Sequence, residues 1–139
     1  MKTALEKAYP GKKAQVARLE GDQCLWLGDT TSPPRIAEKN DTAGGSFGNE
    51  WFCRFGEGLE YYKDARVLPA AAAPPALPAC RALDLSQDID SWLDTETPLN
   101  GYSCVYTAGA RAVLHPRRAT KDESGPWEVL YVLLETRAR

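Results

Sequence analysis

Residues 102–116, with the sequence YSCVYTAGARAVLHP, decide the fold class. Two largely apolar runs, YSCVYT and ARAVLHP, flank a possible turn at Ala108-Gly109. Runs of this kind on both sides of a short turn are typical of an antiparallel hairpin. The predicted hairpin leaves an open edge on which a further strand can pair.

The segment at residues 125–139, GPWEVLYVLLETRAR, fits two structures. Six successive apolar residues from Val129 to Leu134 suit a strand that is covered on both faces. A helix is the alternative, because an apolar stripe at helical spacing is formed by Trp127, Leu130, Tyr131 and Leu134. We prefer the strand, since Val, Tyr and Trp fit a pleated surface and the hairpin offers an adjacent edge.

The N-terminal part of the chain predicts one short helix, one hairpin and one long loop. Residues 3–9, TALEKAY, fit the helix. Residues 14–19 and 24–28, AQVARL and CLWLG, fit two strands about a tight turn at Gly21-Asp22. Residues 29–50 are dense in Gly, Pro, Ser, Thr, Asn and Asp, which favours a loop, and loops of this length are often functional.

The middle of the chain predicts a strand, an ambiguous segment and a helix. Residues 51–55, WFCRF, suit a short strand. Residues 56–68 fit a helix, with a strand centred on LEYY as the alternative. Residues 81–96, RALDLSQDIDSWLDTE, carry the clearest helical pattern, because apolar residues recur at i, i+4, i+7 and i+8 between acidic ones.

An Ala- and Pro-rich tract, LPAAAAPPALPA at residues 68–79, separates the two halves. Four prolines disfavour a regular helix or central strand there and predict an extended connector. The flanking halves are too small to be comfortably independent, so we expect one domain over residues 1–139 with the connector against a shared core. The predicted fold class is α+β, a mostly antiparallel sheet with one or two short helices and a single core.

Composition limits the classes of partner and compartment. The formal net charge is only −2, which gives no overall field to attract nucleic acids. The N-terminus is charged where a secretory signal is apolar, and no segment approaches the roughly 20 apolar residues of a membrane span. We therefore predict a cytoplasmic protein that does not associate with membranes. In that compartment the four cysteines, none in a CxxC pair, are expected to be buried thiols rather than disulfides.

Few residues in the sequence suggest catalysis or the binding of a metal ion or cofactor. His115 is the only histidine, so any mechanism or metal site that needs two imidazoles is excluded. The sequence has no phosphate-binding glycine motif, no nucleophile elbow and no metal-ligand cluster, and we expect no cofactor and no metal ion. An enzyme that uses His115, or the Glu57 and Glu60 carboxylates, remains an alternative.

The leading functional prediction is a small soluble protein that binds another protein, as an inhibitor, immunity factor or adaptor. Its candidate contacts are charged or aromatic side chains of the 29–50 loop, the basic 115–121 loop and the acidic helix, namely Phe47, Asp90, Asp94, His115, Arg117, Arg118 and Lys121. A second alternative is weak nucleic-acid binding through the 115–121 loop, since arginine pairs readily with phosphate. The oligomeric state is not predicted.

Overall fold

The computed structural model describes residues 2–38, 51–62, 65–68, 70–84 and 93–138. Within these ranges the chain forms two short helices and ten strands. The helices are α1 (Lys2–Ala8) and α2 (Leu77–Arg81). The strands are β1 (Gln15–Leu19), β2 (Gln23–Trp26), β3 (Arg35–Glu38), β4 (Phe52–Phe55), β5 (Gly58–Tyr62), β6 (Arg66–Val67), β7 (Leu93–Pro98), β8 (Ser103–Tyr106), β9 (Ala110–Arg118) and β10 (Trp127–Thr136).

The strands form two five-stranded antiparallel sheets. The first sheet has the order β1-β10-β9-β8-β6, and the second has the order β3-β2-β4-β5-β7. The prediction of a mostly antiparallel structure is confirmed. The helices contain only seven and five residues, so the described part of the chain is closer to mainly β than to the α+β class predicted.

The β8–β9 hairpin and the strand β10 confirm two sequence predictions. β8 pairs with β9, and β10 lies between β9 and β1 with a bulge between Leu133 and Glu135. The helical alternative for this last segment is wrong. Side chains of β10 alternate between two buried faces, and this double covering accounts for the unbroken apolar run.

The buried side chains form three clusters instead of the single core predicted. The first lies between the sheets and includes Leu19, Leu25, Phe52, Leu59, Leu114, Trp127 and Val129. The second lies between the outer face of the first sheet and the two helices, and includes Leu5, Tyr9, Cys80, Val113, Leu130 and Val132. The third, on the outer face of the second sheet, contains Cys24, Trp26, Trp51 and Cys53.

The predicted hairpin of residues 14–19 and 24–28 is wrong, although both of its strands exist. β1 pairs with β10 in the first sheet, whereas β2 pairs with β3 and β4 in the second. Leu19 and Leu25 nevertheless enter the same cluster between the sheets. The turn at residues 20–22 therefore carries the chain from one sheet to the other.

Three further elements differ from the predictions. Residues 58–62 form β5, so the strand alternative is correct and the helix is wrong. The predicted 29–50 loop contains β3, and the predicted 81–96 helix overlaps β7, which pairs with β5. Pairing with a distant strand overrides the local helical pattern at residues 93–96. Residues 39–50 and 85–92 lie outside the described part of the chain.

The Ala- and Pro-rich tract packs against the second cluster. Leu68 donates its backbone N–H to the Cys104 carbonyl at 2.9 Å, and the Tyr9 hydroxyl donates to the Pro75 carbonyl at 2.6 Å. The tract also begins α2 at Leu77, with Pro78 in the first turn, where a missing N–H removes no helical hydrogen bond. The one-domain organisation stays a prediction.

Two disulfides correct the prediction of four independent thiols. Cys24 and Cys53 lie opposite each other on β2 and β4, with Cα atoms 4.1 Å apart. Cys80 and Cys104 join α2 to β8, and their Cα atoms are 5.6 Å apart. All four residues are buried, as predicted, and none is free. The spacing of isolated cysteines along the chain does not show which of them meet in space.

We expect the Cys80–Cys104 disulfide to contribute to stability, because it restricts the unfolded chain across a sequence separation of 24 residues. The double variant Cys80→Ala, Cys104→Ala should lose about 2–4 kcal/mol of unfolding free energy, measured by denaturant titration. Adding reductant should destabilise the wild type more than the variant, which retains only Cys24–Cys53. Detection of four reactive thiols in the unreduced, unfolded wild type would contradict this pairing.

Candidate functional site

Four connections lie together at one end of the two sheets, and we call this the loop end. They are residues 20–22, 56–57, 99–102 and 119–126, and the loop end also includes the strand residues beside them, Arg54, Phe55 and Arg118. One guanidinium nitrogen of Arg54, Nη1, donates to the carbonyls of Leu19 and Gly125, both at 3.2 Å. The backbone N–H of Leu99 donates to the Glu57 carbonyl at 2.8 Å. These bonds tie the connections of both sheets to one another.

Phe55 is the most exposed large hydrophobic residue in the described ranges, at 53%. It ends β4, and the turn continues through Gly56, whose φ of 57° favours glycine. Two pockets of about 220 and 200 Å³ adjoin Phe55, one towards Trp127 and one towards Pro98. An aromatic ring on a turn between two depressions is a suitable anchor for a partner surface.

Charges of both signs surround this ring. Nη2 of Arg118 donates to both carboxylate oxygens of Glu57, at 3.2 and 3.0 Å. The Arg54 guanidinium lies 4.4 Å from the centre of the Trp127 ring, and burial lowers its pKa while the Asp22 carboxylate opposes that shift. The loop end therefore combines the exposed Phe55 ring with positive and negative side chains that are held in place by their contacts.

The 119–126 connection is ordered by its own side chains. Asp122 accepts from the Ser124 backbone N–H at 3.0 Å and from the Ser124 hydroxyl at 2.9 Å, and these bonds lower the pKa of the Asp122 carboxyl. The backbone N–H of Gly125 donates to the Asp122 carbonyl at 3.0 Å. This is an Asx-type turn, a conformation that Asp and Ser favour.

The predicted basic loop at residues 115–121 is wrong for most of its length. β9 continues to Arg118, which pairs with Trp127 of β10, so of the three basic residues only Lys121 lies in the connection. Arg117 contacts the Glu128 carboxylate at 3.0 Å, and Arg118 contacts Glu57 at the same distance. Consecutive strand residues point to opposite faces, so the two arginines do not form one cationic patch.

His115 lies within β9, on the face of the first sheet that is turned away from the second sheet. Its ring stacks on Tyr102 with centres 4.0 Å apart and an angle of 11°. Nδ1 donates to the Gly101 carbonyl at 2.9 Å in the neutral ring. Burial is the main cause that lowers the pKa of His115, and the hydrogen bond to Gly101 opposes this shift.

The carboxylates proposed as a catalytic pair lie in different environments. Glu57 is exposed in the turn and bound to Arg118, whereas Glu60 is buried in β5 opposite Cys53. Glu60 and His115 belong to different sheets and occupy their outer faces. The structure therefore does not bring the predicted catalytic residues together.

The other residues that the sequence predicts as protein contacts are Phe47, Asp90 and Asp94. Phe47 and Asp90 lie outside the described residues. Asp94 lies in β7, where it pairs with Tyr61, and not on the helix predicted for it. Of the predicted contact residues, Arg118 and Lys121 belong to the described loop end.

The pattern of residues 51–55 predicts a short strand but does not distinguish Phe55 or Arg54 from its other residues. A signal was present in Gly56-Glu57-Gly58, which is typical of a turn. A strand that ends before such a turn places its last side chain at the edge of the sheet. Phe55 was therefore recognisable as a candidate for exposure.

No protein-family model, curated protein or solved structure matches this chain. In the described ranges, no group of three or more His, Cys, Asp or Glu residues is arranged to hold a metal ion. No helix in those same ranges is long and apolar enough to cross a membrane. The function is therefore inferred from the geometry of the site.

We expect His115 to reduce stability in acid. Its folded-state pKa lies below the ordinary value of 6.5, so the unfolded chain binds the proton more readily and the stabilising contribution is lost as the pH falls from 6.5. Unfolding free energies measured between about pH 7.5 and pH 5 should fall less in His115→Phe, which keeps a ring beside Tyr102. The single histidine gives an unambiguous NMR titration, and a midpoint at or above 6.5 would contradict the expectation.

Proposed function

We propose that this protein acts by binding another protein through the loop end, with Phe55 as the apolar anchor. The observation that carries the proposal is the 53% exposure of a phenylalanine ring on a turn between two pockets. Aromatic side chains dominate the energy of many protein interfaces when a partner surrounds and dehydrates them. The role is that of an inhibitor, immunity factor or adaptor.

The contacts below Phe55 support this function because they hold the ring on an ordered base. Arg54 links β4 to the Leu19 and Gly125 carbonyls, and Asp122 orders the neighbouring connection. A surface that is ordered before binding loses less conformational entropy when the complex forms. Loops on such a framework are common sites of recognition.

The surrounding charges indicate the chemistry of the partner surface. Asp22, Arg54 and Glu57 line the two pockets beside Phe55, and Arg118 pairs with Glu57, so charges of both signs lie around the ring. A fitting partner offers an apolar cavity for a phenyl ring, with a polar rim that carries charges of both signs. Such a rim sets orientation and specificity more than affinity.

The alternative functions receive less support. Arg117 and Arg118 each contact a carboxylate, which leaves them poorly suited to collect nucleic-acid phosphates. The Glu57 carboxylate is exposed and paired with Arg118, whereas Glu60 is buried in β5, so these two carboxylates do not face a common site.

The two disulfides favour a place of action other than the cytoplasm. Disulfides persist in oxidising compartments and are rare where thiols are kept reduced. We therefore propose that the protein meets its partner in an oxidising compartment. The sequence, by contrast, predicts a cytoplasmic location. Extracts used to find the partner should contain no reductant.

We expect Phe55→Ala to weaken partner binding by about 30-fold or more, the effect of losing a hot spot of about 2 kcal/mol. The fold should be retained, because the ring is largely exposed. Val16→Ala is the matched control, since Val16 is 42% exposed on the edge strand β1. All three proteins should be immobilised at equal density, exposed to source-cell extract and compared by quantitative mass spectrometry, with affinities then measured on the purified partner.

The amounts of partner retained by Phe55→Ala and Val16→Ala decide whether Phe55 is part of the interface. A stoichiometric partner retained by wild type and Val16→Ala, and lost by Phe55→Ala, would support the proposal. Equal retention by all three proteins would overturn the role of Phe55. Loss with Val16→Ala alone would assign the interface to the edge of the first sheet.

A further inference from the structure

A pocket of about 260 Å³ opens on the helical side of the first sheet, between the end of α1, α2 and the end of β10. Its polar lining includes Lys12, Arg81, Arg111 and Glu135. The pocket is built on the outer face of the first sheet, and none of its lining residues belongs to the loop end. A ligand in this pocket therefore binds at a site separate from the proposed protein-binding surface.

The charges in this pocket are unbalanced. Glu135 is already held by two guanidinium groups, Arg111 Nε at 2.6 Å and Arg137 Nη1 at 2.7 Å, and the bond to Arg111 is the main cause that lowers its pKa. Lys12 and Arg81 are exposed, and no carboxylate in the described residues pairs with either. The pocket therefore has an excess of positive charge.

Arg111 lines this pocket, and its guanidinium group supplies hydrogen-bond donors. The residue is only 7% exposed, and its Nη1 donates to the carbonyls of Cys80 and Leu83, the latter at 2.7 Å. With Nε bound to Glu135, the N–H groups of Nη2 have no acceptor among the described residues. Nη2 is not one of the buried atoms without a partner, so it reaches solvent and can donate to an acceptor oxygen of a ligand.

The other walls of the pocket are apolar. Leu77 and Leu134 line it, and Leu134 also belongs to the second cluster. The Tyr9 hydroxyl donates to Pro75, and burial raises the pKa of Tyr9 to about 12, so this wall carries no charge near neutral pH. A volume of about 260 Å³ limits a ligand to a small molecule.

We propose that this pocket binds a small organic carboxylate with an aromatic or short aliphatic body. The carboxylate accepts from Nη2 of Arg111 and is attracted by Arg81 and Lys12, and the apolar body packs against Leu77 and Leu134. Arginine suits this role because its planar fork matches a carboxylate. The apolar walls favour such a ligand over a fully hydrated inorganic anion.

Phenylacetate is a suitable probe, with phenylacetamide, acetate and inorganic phosphate as comparisons. Titration followed by ¹H–¹⁵N NMR should give saturable shifts at residues 8–12, 77–81 and 134–135. Phenylacetate should bind at least about 10-fold more tightly than the neutral amide, a factor that corresponds to one well-placed charged contact. It should also bind at least about 10-fold more tightly than acetate or phosphate, because these anions lack the apolar body that packs against Leu77 and Leu134. Arg81→Gln should weaken phenylacetate binding at least about 5-fold.

The controls separate a specific site from general attraction to a basic surface. Arg18→Gln removes an exposed arginine from β1 and should bind phenylacetate like the wild type. Arg81 is exposed too, so Arg81→Gln should fold normally, whereas Arg111 is needed for packing. Equal binding of phenylacetate and its amide, equal binding of phosphate, or equal weakening by both glutamine variants would overturn the proposal.

Discussion

The covering of β10 on both faces is the constraint on which the described structure depends. Antiparallel sheets commonly leave one face to solvent, but β10 packs towards the second sheet through Trp127 and Val129 and towards the helices through Leu130 and Val132. The second sheet, the first sheet and the helical layer are thereby stacked in that order. The disulfide from α2 to β8 and the hydrogen bond from Tyr9 to the proline-rich tract then fasten the helical layer to its sheet.

The fold was predictable where its signals are local. The hairpin of β8 and β9 joins neighbours in sequence, and a strand at residues 127–136 completes its open edge. The pairing of β1 with β10 was not predictable, because the same alternating pattern suits either sheet and a short turn favours a hairpin. Residues 93–96 show the same limit, since a helical pattern gives way to pairing with a distant strand. Cysteine pairing depends on that same long-range arrangement.

The candidate site was predictable only in part. The cations at Arg117 and Arg118 were apparent, but their carboxylate partners, Glu128 and Glu57, are brought to them by strand pairing and by the stacking of the sheets. Phe55 was obscured because an aromatic residue beside Trp51 and Phe52 resembles one more member of the core. The apolar and cationic groups of the helical-side pocket come from segments far apart in sequence, which no single motif reveals.

The pairing of β1 with β10 also has a consequence for how the chain folds. Gln15 and Tyr131 are hydrogen-bonded across 116 residues of sequence, so β1 and its partner strand in the sheet lie far apart along the chain. Contacts of such long separation slow folding and lengthen the time during which aggregation competes. The time that this domain needs to fold therefore depends on the pairing of β1 with β10.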